Sequence, residues 1–112
     1  MVRQDVGAQI YWEPGGMEMK LNDKQKDAMF KYGIPQYMHG AIIRYYENHI
    51  EPGSFMSAVI NNDLKDACCR ADDTNRHRLF DYMMWFYNEA PSGTWGYPEA
   101  VHDWLMKAAD NE

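Results

Sequence analysis

Across residues 51–90, apolar side chains recur at helical spacing on both sides of a polar corner at 70–75, and this pattern constrains the fold more than any other. Before the corner, Met56, Ile60, Leu64, Ala67, Cys68 and Ala71 form one stripe, widened by Phe55 and Val59. They predict a single helix over 54–71, with Asn61, Asn62, Asp63, Lys65, Asp66 and Arg70 on the opposite side. After the corner, a helix starts beyond a cap at Asp73 or Thr74 and ends near Ala90, ahead of Pro91. Leu79, Phe80, Met83, Phe86, Tyr87 and Ala90 make its inward face, and Met84 and Trp85 carry apolar surface further round. A helix so nearly apolar on all sides belongs at the centre of a bundle. The flanking segments must then cover both faces.

Those segments read as helices too. Residues 23–32 have Asn22 as an N-cap and Gly33 as a terminator. A second helix runs over 35–48, with Pro35 in its first turn and a stripe of Met38, Ile42, Tyr45 and Tyr46. Adjacent Tyr45 and Tyr46 point two ways, which predicts one core ring and one ring free to cover an interface. Gly40, inside this helix, suits a close helix crossing. The last helix opens at Pro98, with Val101, Trp104, Leu105 and Ala108 inward. Residues 1–21 lack such a pattern and predict an irregular arm, with Tyr11 and Trp12 available for docking. The expectation is an all-α fold: a compact orthogonal bundle of four to five short helices in one domain over 22–109.

At 112 residues the chain can bury a core without disulfides. Its net charge is −6, carried by residues 34–112, because five basic and five acidic side chains cancel in 1–33. Nucleic-acid binding needs clustered Lys and Arg, so that class is disfavoured. The 9 Met, 8 Tyr and 4 Trp exceed what a small core absorbs and favour a binding surface or a homo-oligomer. Cys68 and Cys69 are adjacent, which suits a reducing compartment and reads as core thiols. The N-terminus has no signal-peptide pattern, and no apolar run approaches a membrane span, so a cytoplasmic location is expected.

The corner gathers Arg70, Asp72, Asp73, Asn75 and Arg76. Its carboxylates, guanidiniums and amide can direct many hydrogen bonds to a ligand or partner. The same residues also read as a capped turn, with Asp72 paired to Arg70 or Arg76. A metal is not expected, since the spacing lacks the EF-hand pattern and the arginines oppose a cation. The four histidines are too dispersed for a zinc site. Trp95 and Tyr97 sit in a loop before a helix N-terminus, where rings can stack on a base or can plug the end of the bundle. Asp63, Asp66, Asp72 and Asp73 are the carboxylates that could serve acid–base chemistry, yet no nucleophile–base arrangement accompanies them. The expectation is a protein that is not an enzyme and uses no cofactor.

Six stretches carry a resemblance: 33–40 (GIPQYMHG), 51–55 (EPGSF), 62–64 (NDL), 70–75 (RADDTN), 88–92 (NEAPS) and 95–99 (WGYPE). Together, over roughly residues 33–105, the chain resembles small uncharacterised proteins encoded by tailed phages and prophages. The resemblance implies a setting rather than a chemistry: an accessory protein in a bacterial host cytoplasm. Such a protein is expected to bind a host protein and inhibit or redirect it. The alternative is a small-ligand binder that sequesters a nucleotide immune signal.

Overall fold

The structure, a computed structural model, describes residues 20–110. The arm expected over 1–21 falls outside it except for its last two residues. Leu21 is buried in the core. Regular structure among the described residues is all helical. The helices are α1 (Asp23–Tyr32), α2 (His39–Asn48, preceded by a 3-10 turn at Gln36–Met38), α3 (Ser54–Ile60), α4 (Leu64–Arg70), α5 (Asp73–Arg76), α6 (Leu79–Glu89) and α7 (Pro98–Asp110). This is seven helices rather than four or five.

One stopping device explains much of the layout. Helices α1, α2 and α3 each end on a left-handed residue: Gly33 (φ 91°), His49 (φ 56°) and Asn62 (φ 64°). In each case the next amide reaches back five or six residues: Ile34 to the Met29 carbonyl, Ile50 to Arg44 and Asp63 to Ala58. This closure satisfies carbonyls that a helix end leaves open. The stop at Asn62 breaks the helix expected over 54–71. Asp63 then caps α4 at once by accepting the Asp66 amide at 3.1 Å. The break turns the stripe, so Ala67 stays buried while Leu64 and both cysteines face solvent, contrary to the expected core thiols.

The corner is also more structured than expected. Asp72, rather than Asp73 or Thr74, is the cap, and it caps the one-turn helix α5 instead of α6. Helix α6 starts at Leu79 without a side-chain cap. Its rotation is shifted from the expected one: Phe86 and Ala90 are buried as expected, but Tyr82 and Trp85 join them in the core while Phe80 and Tyr87 are exposed. Periodicity cannot set the rotation of a helix that is apolar nearly all round. Hydrogen bonds do it here. Trp85 Nε1 donates to the Gln25 carbonyl (3.0 Å), and Gln25 Nε2 donates to the Glu89 carbonyl (2.7 Å), locking α6 to α1.

The core is aromatic. Tyr45 and Tyr46 are both buried, edge to face at 4.9 Å, so neither covers an interface as expected. Tyr46 also lies near Trp85 and Trp104. Each ring's polar tip has a partner. Tyr45 donates to the Thr94 carbonyl, Trp104 Nε1 donates to the Tyr45 carbonyl, and Tyr46 donates to Thr94 Oγ1, which donates onward to the Pro91 carbonyl. The loop before α7 is thereby pinned to α2. Gly40 does not serve a helix crossing, since a side chain there would meet Arg44 of its own helix.

Candidate functional site

At the corner, polar groups engage one another. Arg70 Nε donates to Asp66 at 2.9 Å, one turn back on α4. Arg76 pairs with Asp73 at 3.1 Å. Asp72 accepts the Asn75 amide through Oδ1 (2.7 Å) and the Tyr37 hydroxyl through Oδ2 (2.6 Å). Its expected pairing with Arg70 or Arg76 is therefore replaced by a tyrosine 35 residues away in sequence. The Tyr37 hydroxyl, and next the Asn75 amide, hold the Asp72 carboxyl below its ordinary range; the same bond pushes the Tyr37 hydroxyl up. Asn75 is buried, and its Oδ1 accepts the Tyr82 hydroxyl at 2.5 Å. Asn75 thus anchors the corner from inside, while Arg70, Asp72, Asp73 and Arg76 display it to solvent.

The ring-bearing loop separates its two aromatics. Trp95 is half-buried against Phe86, 5.3 Å between ring centres. Tyr97 stands in solvent. Between them, the Gly96 amide donates to the Ile60 carbonyl at 2.6 Å, tying the loop to the end of α3. Trp95 plugs the bundle, and Tyr97 is the exposed ring of the loop.

The break between α3 and α4 creates a surface that the sequence did not signal. An open groove of about 740 Å³ runs past it, lined by Glu51, Ser54, Asn61, Asp63, Asp66 and Arg70, with Pro98 of α7 at its edge. Of the expected binding residues only Arg70 belongs to it, together with Asp63 and Asp66 of the four carboxylates weighed for acid–base chemistry. A smaller apolar cleft of about 40 Å³ adjoins it, lined by Val59, Leu64, Ala67, Leu79 and Met83. Ala58, Asn62, Asp63 and Leu64 line both, so the two share a wall. Ser57 also lines the groove, and its Oγ is closed off from solvent without a hydrogen-bond partner. Among the described residues, no three His, Cys, Asp or Glu side chains converge as a metal site, and no helix is long and apolar enough to cross a membrane.

Comparison with family models, curated proteins and solved structures gives no match.

Proposed function

We propose that this chain is a non-enzymatic phage accessory protein that binds a host protein in the bacterial cytoplasm and inhibits or redirects it. One observation carries the reading: large apolar side chains stand in solvent on a small acidic domain. Phe80 is 71% exposed and Leu64 68%, with Tyr37 and Tyr97 also more than half exposed. Large exposed apolar side chains of this kind are the groups a protein partner can bury. We assign the polar contacts to Arg70, Asp72, Asp73 and Arg76, with Tyr97 beside them in role. The phage setting rests on the sequence resemblance.

The test is affinity capture of the tagged chain from bacterial lysate, read by quantitative mass spectrometry. The expected result is one host protein at near-stoichiometric yield, reduced by charge reversal at Asp72 and Asp73. If nothing is enriched, and a nucleotide instead raises the melting temperature in a way that Arg70→Ala removes, the ligand-sequestering reading replaces this one. The carboxylates around Arg70 oppose a phosphate, which is why the protein partner is preferred.

A further inference from the structure

We infer that the adjoining groove and cleft at the α3–α4 break form the docking site for a basic amphipathic helix of the partner. This inference rests on the binding reading above and specifies the partner's chemistry. The apolar end is built by Val59, Ala67, Leu79 and Met83, with Leu64 exposed at its rim. Its free volume exceeds that needed for one water, so the tip of an apolar side chain can enter. The polar end holds three carboxylates, Glu51, Asp63 and Asp66, against one guanidinium, Arg70. Arg70 is already engaged by Asp66. Glu51 and Asp63 have no ion pair among the described residues, and Asp63 is engaged only as the cap of α4, so the groove presents net negative charge beside an apolar slot. An amphipathic helix with apolar anchors on one face and Lys or Arg beside them meets both ends at once. Its anchor fills the cleft, and its cations lie over Glu51 and Asp63. Charge complementarity of this kind steers encounter and fixes orientation.

The probe is a model peptide of about 14 residues, roughly four helical turns, with Leu at helical spacing and Lys elsewhere. Controls replace Lys by Glu, or Leu by Ser. Binding to the full chain is followed by amide chemical shifts. The expected result is saturable binding of the Leu/Lys peptide alone, with shifts centred on Asn62–Ala67 and Leu79–Met83. Glu51→Lys and Leu64→Ser each weaken it by about tenfold, the scale of losing one anchor. Both side chains are exposed, so both variants keep the fold, as their unperturbed amide spectra will show. Shifts spread evenly over the acidic surface, or equal binding by the Lys peptide lacking Leu, overturn the inference. So does a rise in solution mass on concentration that both variants abolish, which makes a second copy of this chain the occupant. Capture of a host protein that competes with no peptide sinks the groove while leaving the proposed function standing. Absence of any captured host protein sinks the function itself, whatever the peptide does.

Discussion

Changing Thr94 to valine keeps the side chain's shape and removes its hydroxyl. That hydroxyl accepts from buried Tyr46 and donates to the Pro91 carbonyl, so its loss leaves a phenol unsatisfied in the core. Thr94→Val is expected to cost about 1–3 kcal/mol in urea denaturation, while Thr94→Ser costs less because it keeps both bonds. Tyr37→Phe is a different kind of change, since the bond it removes is exposed. The Asp72 carboxyl then titrates closer to its ordinary value, and a carboxyl-detected NMR titration reads this directly. The sign for stability follows. A lowered folded-state value stabilises the protein above the unfolded carboxylate's pKa, and this is lost as pH falls below about 4. The variant therefore loses less stability than the natural chain over that acid range. Little of this was legible beforehand. The polar corner was visible as a cluster, and a capped turn was one of its two readings. But Tyr37, which decides the state of Asp72, is distant in the chain, and no local pattern connects the two.

Helix α3 and helix α4 carry one apolar stripe in nearly continuous register, which is why the sequence reads as a single helix there. The break is legible only in the pair Asn62-Asp63, where a residue that tolerates a left-handed conformation precedes a strong N-cap. Asn62→Val is expected to destabilise by roughly 1–2 kcal/mol because a β-branched residue resists positive φ, whereas Asn62→Gly leaves the melting temperature nearly unchanged. If valine is tolerated as well as glycine, the break does not have this geometry. Helices α1 and α7 were legible in nearly full extent, because Asn22, Gly33 and Pro98 mark their ends. For α6 the position was legible and the rotation was not: Phe80 and Trp85 are equally apolar, and tertiary hydrogen bonds choose Trp85 for the core. The groove was invisible for a related reason, since it exists only because α4 turns away from α3.

At the scale of the whole molecule, an aromatic core closed by satisfied polar tips is joined to a surface that leaves Leu64 and Phe80 in water. Neither side chain supports the core, and surface substitutions of this kind usually change stability by less than about 0.5 kcal/mol. Their exposure leaves both side chains available for the proposed binding, at little cost to the fold. The all-helical class was legible from spacing and breakers. The surface was only half legible, because abundance of Met and aromatic residues shows that some must be exposed without showing which. The most direct measurement is a paired capture experiment: the natural chain and a Leu64→Ser/Phe80→Ser double variant, both tagged, both exposed to the same bacterial lysate, with melting temperatures measured alongside. The account predicts one host protein enriched by the natural chain and largely lost by the variant, at closely similar melting temperatures. Equal enrichment by both chains, or enrichment by neither, would contradict it.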